Sequence, residues 1–302
     1  MKTVFVTILC IGVFAVLPSF PALAEKEPVS REQAEALLSG LKYQQGEIAL
    51  QNGLATLHVP EGFRFLNGSD AQTVLVKLWD NQPSLSDPLG MLMPVGVSPL
   101  SREAWAVVIT YEPDGFVSDK DAEKINYTEL LAQMQKDTAS ANEERQKAGY
   151  EPIHLVGWAK APRYDSQTHK LYWAKEVKFA SQPENTLNYN IRMLGRGGVL
   201  VLNGVAAMSQ LANIEQVTPK ILEAIDFNPG HRYADFNPKS DKIAEYGLTA
   251  LVAGGAAATA AKLGLFKGLW VAILAAKKFI IIGMIAIAGF FRKLFKRKQS
   301  TA

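Results

Sequence analysis

From Tyr246 to Ala302 the chain contains no aspartate or glutamate, while Lys262, Lys267, Lys277, Lys278, Arg292, Lys293, Lys296, Arg297 and Lys298 place nine positive charges there. A purely basic, apolar tail of this kind belongs beside a membrane, and it leaves the stretch from Glu25 to Glu245 to fold as a body. The 302 residues hold 32 Lys plus Arg against 29 Asp plus Glu. Without the tail and Lys2, the body keeps 22 basic against 29 acidic residues, a charge of about −7. The net charge of +3 is therefore misleading and gives no support to nucleic-acid binding, because the basic charge is confined to one end and not spread over a folded face.

The other end is apolar too. Lys2 precedes an uncharged run from Val4 to Leu17, then Pro18 and Pro21, then Ala22, Leu23 and Ala24. This reads as a secretory signal peptide over residues 1–24, with small residues suited to signal peptidase and Glu25 as the first mature residue. The run is too short for the roughly 17 to 25 residues of a membrane span. Cys10, the only cysteine, lies inside it, which excludes a disulfide framework or a Cys-ligated metal in the body. The mature chain would hold no thiol, in keeping with an oxidising compartment.

Lengths decide how the tail could be anchored. Phe279 to Phe291 is uninterrupted but has 13 residues, which reach only about 20 Å of a hydrocarbon core roughly 30 Å thick. Extending the span back over 268–293 completes the crossing if Lys277 and Lys278 snorkel to the interface. The preceding segment, 247–267, is rich in Gly and Ala, with Gly254, Ala258, Gly264 and Gly268 at spacings that permit close helix packing. With the body exported, one crossing leaves the basic residues of 294–302 in the cytoplasm, as positive-inside requires, whereas a helical hairpin would expose them.

Between the ends, element signals alternate. Ser30 with Gln33 has capping-box spacing for a helix ending near Gly40, and Ser69 with Gln72 repeats it. Glu47 to Leu50 and Leu54 to Val59 flank the turn residues Gln51, Asn52 and Gly53. Strands are expected at Gly90 to Val95 and Trp105 to Tyr111, and Asn126 with Glu129 opens the longest helix. A meander follows: Ile153 to Lys160, Leu171 to Ala180, Thr186 to Leu194 and Val199 to Val205. In the third of these Leu187, Tyr189, Ile191 and Met193 alternate with Asn188, Asn190 and Arg192, which predicts one buried and one polar face. Trp173 is expected in the core, with Asn188 and Arg192 on the opposite side of the sheet. Val199 to Leu202 are apolar in succession, so that strand should be central. Thr218 and Pro219 look like the start of a helix bearing Ile221, Leu222, Ile225 and Phe227. The expectation is an α+β domain over 25–227, an antiparallel sheet covered by helices, with a linker at 228–246.

Several collinear runs resemble a bacterial family known as the domain of unknown function 2167 family, described as predicted membrane-anchored proteins. They are EGFRFL from Glu61, GFVSDKDA from Gly115, GWAKAPRYD from Gly157, LNYNIRMLGRGGVLVLNGVA from Leu187 and YGLTALVAGG from Tyr246. The resemblance implies an exported, C-terminally anchored protein and brings no catalytic residues with it. TLHVPEGF early and GVLVLNGVA before a helix ending in AIDF also look like the photosystem-P and Mog-type α/β/α sandwich, a likeness of layout that licenses no shared function.

Signs of chemistry are sparse. His58, His154, His169 and His231 are scattered, with no two-His helical pair, so neither a metal site nor a cofactor is expected. Gly195, Gly197 and Gly198 precede a strand and not a helix, which makes them a hairpin turn and not a phosphate loop. Asp119, Asp121 and Glu123 start like a calcium loop, but Lys124 and Leu130 occupy the turn-glycine and bidentate-glutamate places. Trp158, Tyr164 and Tyr172, with Arg192 and Arg196 on the next strand, form the candidate ligand-binding set, since aromatics interleaved with arginine make recognition patches. The chain therefore reads as a non-enzymatic interaction or sensing module. It would be held at the bacterial inner membrane by its C-terminal helix, with the body in the periplasm beside an envelope partner and the C-terminus in the cytoplasm. The alternative is a membrane-tethered envelope hydrolase built from dispersed carboxylates and histidines.

Overall fold

In the computed structural model the alternating stretches pair into two antiparallel sheets, and helices cover them to give an α+β fold. Residues 29–254 are described, apart from 80, 82–86 and 148. The expected signal peptide and membrane-spanning helix lie outside them, and no described helix is long and apolar enough to cross a membrane.

Helix α1 (Arg31–Gly40) opens on the Ser30–Gln33 box, in which each side chain bonds the other residue's backbone N–H. Strands β1 (Glu47–Leu50) and β2 (Ala55–His58) are joined by a turn whose residues Gln51, Asn52 and Gly53 all have positive φ. Strand β3 (Phe63–Asn67) runs directly into α2 (Gly68–Gln72). Here the cap is Asn67 and not Ser69: its side-chain oxygen accepts from the Asp70 N–H at 3.0 Å, so the end of the strand itself starts the helix. After β4 (Gly90–Pro94) and β5 (Ala106–Glu112), Asn126 caps α3 (Tyr127–Lys147) by accepting from Thr128 and Glu129 N–H groups. The meander is β6 (Ile153–Asp165), β7 (Lys170–Phe179), β8 (Thr186–Leu194) and β9 (Val199–Ala207). Helix α4 (Leu211–Glu223), β10 (Ile225–Phe227) and α5 (Leu248–Ala253) complete the described chain.

The larger sheet has seven strands in the order β3-β4-β5-β9-β8-β7-β6, which puts β9 at its centre as the apolar run of Val199 to Leu202 implied. The smaller is β1-β2-β10. One face of the large sheet packs Phe65, Leu92, Ile109, Leu200 and Leu202 against Ile214 and Ile221 of α4 and Leu57, Ile225 and Phe227 of the small sheet. The other face carries two separate apolar clusters. At the β3–β5 end Leu66, Met91 and Met93 meet Ala71 and Val74. At the β7–β9 end Leu171, Trp173, Leu194 and Val201 meet Leu248, Leu251 and Val252 of α5.

The free edge of β6 is blunted by α3. Gln135 Nε2 donates to the Leu155 and Val156 carbonyls, and Asn142 both donates to and accepts from the Ile153 backbone. Side-chain amides thus substitute for a neighbouring strand.

Three expectations are corrected. Thr218 and Pro219 lie inside α4, which begins seven residues before Thr218. The Thr218 hydroxyl donates to the Ile214 carbonyl at 2.6 Å instead of capping an N-terminus. Ile225 and Phe227 are strand residues, because Ile225 pairs with Leu57 and Phe227 with Ala55. Trp173 is buried, at 1 % exposure, but Asn188 and Arg192 are not on the opposite face. Trp173 pairs directly with Asn190, and residues two apart on a strand share a face, so all four lie together. The polar side of β8 is covered too, with Asn190 only 3 % exposed.

The stretch 228–246, expected as a linker, is bound to the body at several points. Ile243 forms a parallel bridge with Phe116, Arg196 pairs with Asp241, and the Tyr246 hydroxyl donates to Asp114. Asp121 then accepts from the Leu248 and Thr249 N–H groups and seats the start of α5.

Candidate functional site

In β7, Leu171, Trp173 and Val177 share parity, and Lys175 interrupts that apolar row. Its cross-strand partners are Asn188 on β8 and Trp158 on β6, while Asn188 in turn pairs with Val205 on β9. The next row along the sheet reads Trp173, Asn190, Asn203 and Val108, and the one after it Leu171, Arg192, Val201 and Thr110. Three amides and two cations therefore sit on one face between the two apolar clusters.

Lys175 and Arg192 are half-buried, crowded by neighbouring protein yet with part of their surface open to solvent. That combination describes side chains at the bottom of a recess. Arg192 stacks over the Trp173 ring, 4.8 Å from its centroid, and donates to the Ile191 carbonyl at 3.2 Å. Desolvation pulls its guanidinium down to about 10, with the nearby Glu112 carboxylate acting the other way. Lys175 has no such help. Burial, and then the repulsion of Arg192, pull its ammonium down to about 8. Among the described residues it makes no hydrogen bond or ion pair. Asn190 Nδ2 donates to the Asn188 carbonyl at 2.9 Å and to Asn188 Oδ1 at 2.7 Å. Trp173 Nε1 and Asn203 Oδ1 are buried without a partner, so polar groups on this face outnumber the bonds the chain offers them.

A second cluster lies where β6 turns into β7. The Tyr164 hydroxyl donates to Asp119 Oδ2 at 2.8 Å and lies 3.1 Å from His169 Nδ1, which is 3.7 Å from the same carboxylate. His169, at φ 51, stacks on Tyr233 with ring centroids 4.0 Å apart. Burial and the Asp119 carboxylate push both tyrosines far above the ordinary phenol value, so they are donors at any physiological pH. Asp119 and His169 thus converge, whereas Asp121 is engaged with α5 and His154 is exposed. Among the described residues no group of three or more His, Cys, Asp and Glu side chains could hold a metal ion.

A third feature is a shallow pocket of about 410 Å³ beside the Gly195–Gly198 turn, lined in part by Arg196, His231, Asp241 and Lys242. Arg196 is not free there. Its Nε and Nη2 donate to the two Asp241 carboxylate oxygens at 2.7 and 2.9 Å. With the Asn237 N–H they hold that carboxyl well below the usual range.

The five candidate residues do not form one patch. Trp158, Tyr164 and Arg192 share the α5-covered face, with the Trp158 indole donating to the Tyr127 carbonyl at 3.2 Å. Tyr172 pairs with Ile191 and points to the opposite face, where Arg163 lies 5.7 Å from its ring. Arg196 is in the β8–β9 turn. Sequence reasoning missed Lys175 and Asn188. The signal was available as a lysine in the parity row of Leu171, Trp173 and Val177.

Comparison with solved structures finds distant likenesses. Cyanobacterial PsbP from Synechocystis shares 8 % identity at a TM-score of 0.33, covering 62 % of this chain and 92 % of that one. The Ran-binding protein Mog1p of Saccharomyces cerevisiae shares 10 % at a TM-score of 0.30, covering 66 % of this chain and 100 % of its own. Scores this low carry no argument about fold or function. No curated protein matches the chain. A family model, however, matches residues 42–288, so the chain belongs to the protein family of unknown function DUF2167.

Proposed function

We propose that this protein is a non-enzymatic ligand-binding or sensing module of the bacterial envelope. It is exported by its N-terminal signal and held at the inner membrane by the apolar segment 268–293, with its body in the periplasm and its C-terminus in the cytoplasm. The observation that carries the binding part is Lys175, an ammonium in a solvent-reaching recess with no counter-charge from its own chain among the described residues. An uncompensated enclosed cation is costly for folding alone. It becomes useful when a ligand supplies the missing partner. The tether rests on the charge and length pattern of the tail.

Native mass spectrometry of the protein extracted gently from its own membranes tests this reading. The wild type retains a small-molecule adduct that Lys175→Met does not. Equal spectra for the two, with no adduct on either, contradict it.

The second reading, a tethered envelope hydrolase, is favoured by the meeting of Asp119 and His169. Among the described residues, however, no serine, threonine or cysteine side chain is bonded to His169, whose polar neighbours are Tyr164 and Asp119. The cluster is better explained as a clamp that joins the β6–β7 hairpin to residues 119 and 233.

A further inference from the structure

The recess on the α5-covered face also indicates what chemistry its ligand carries, an inference that rests on the binding-module reading above. Lys175 and Asn188 are direct cross-strand partners, which places their Cβ atoms roughly 5 Å apart on the same face. Asn188 Oδ1 is occupied by Asn190 Nδ2 at 2.7 Å, so the Asn188 amide turns its NH₂ group away from Asn190. Among the described residues that NH₂ donates to nothing, and Asn188 keeps part of its surface open. The Lys175 ammonium beside it is also without an acceptor.

Two unused donors, one of them charged, thus project from adjacent strands into the same recess, and the charge that acts on Lys175 is a second cation, Arg192. A cationic ligand or a metal ion is repelled from such a place. A neutral ligand would leave the ammonium uncompensated. We propose that the recess binds an oxyanion, the phosphate or carboxylate group of a small molecule or lipid headgroup, held by Lys175 Nζ and Asn188 Nδ2 together. Arg192 contributes field from two rows along the same face, where it stacks on Trp173 of the intervening row. The overall acidity of the body makes this recess a local exception, which favours selection of an anion by contact over long-range attraction.

Residue-resolved labelling tests the proposal. The full-length protein in an uncharged detergent is treated with a limiting amine-acetylating reagent, and modification of Lys175 is followed by peptide mass spectrometry with exposed Lys239 as internal control. Four arms are compared at equal ionic strength: chloride, acetate, inorganic phosphate and dihexanoyl phosphatidylglycerol. An oxyanion in the recess slows acetylation of Lys175 at least about fivefold relative to chloride and leaves Lys239 unchanged. Protection by phosphate and by the short-chain lipid identifies the phosphate group in either source. Protection by the lipid alone identifies a headgroup, and by acetate alone a carboxylate. Asn188→Val, checked for an unchanged melting temperature, should lose most of the protection. Equal rates in all four arms overturn the proposal, as does full protection in Asn188→Val. If the arms are equal while a membrane-derived adduct still disappears in Lys175→Met, the binding reading stands and the oxyanion class falls.

Discussion

The guanidinium of Arg192 on β8 lies 4.8 Å from the ring centroid of Trp173 on β7, so the most buried indole of the sheet and a cation share one face. A stacked cation at a desolvated site contributes about 2 kcal/mol or more when its own solvation loss is met. Here it also holds Arg192 against Trp173, whose row adjoins that of Lys175. In a variant retaining Trp173 as its only tryptophan, emission should be blue-shifted and nearly insensitive to iodide. Strong quenching would place the ring on an open face and contradict the register of β7 with β8.

Lys175 gives a prediction with a definite sign. Its ammonium is pulled down to about 8, so the folded state loses that proton before the unfolded chain, whose lysine holds it to about 10.4. Between these values the unfolded state binds more protons, and wild-type stability gains with rising pH. The penalty is fully present below pH 8. Lys175→Met, which keeps the aliphatic length without the charge, should therefore be more stable than wild type at pH 7 in the absence of ligand. Its advantage should shrink between pH 8 and 10 in denaturant titrations. A constant difference across that range would mean that Lys175 is not titrating in the recess.

Helix α5 is part of the body's core. Leu248, Leu251 and Val252 are buried against Leu171, Trp173 and Val201, although the sequence places these residues in the Gly/Ala-rich segment beyond the domain. Leu251→Ala should cost roughly 2 to 5 kcal/mol. A chain ending at Glu245 should melt far below one ending at Gly254 and bind an apolar dye, because it loses three of the nine buried residues of that cluster and uncovers the others. Identical melting temperatures would show that α5 is dispensable.

How much of this was legible follows from what each signal depends on. Strand positions and the central place of β9 were readable because alternation and apolar runs are local. The α1 and α3 caps were readable because their donors and acceptors are three residues apart. Thr218 with Pro219 misled because a proline at a helix start and one inside a helix look alike until Ile214 is seen to accept the threonine hydroxyl. The face of Trp173 depended on register between strands, which no single strand encodes. For the same reason the five-residue aromatic and arginine set dispersed. Residues adjacent in a hairpin, such as Tyr172 and Trp173, point to opposite sides, while Lys175 and Asn188 meet across the sheet from 13 positions apart.

The tether has its own prediction. With the body exported and one crossing, a fluorescent protein fused after Ala302 should be active and a periplasmic phosphatase fused there silent. An active phosphatase would instead favour a hairpin that returns the tail to the outside.

The most direct measurement of the central claim is an experimental structure of the full-length protein purified from its native membrane without exogenous phosphate or carboxylate buffer. Non-protein density is expected within hydrogen-bond distance of Lys175 Nζ and Asn188 Nδ2. A carboxylate of the chain itself, such as Glu112, found paired with Lys175 in a closed recess would contradict it.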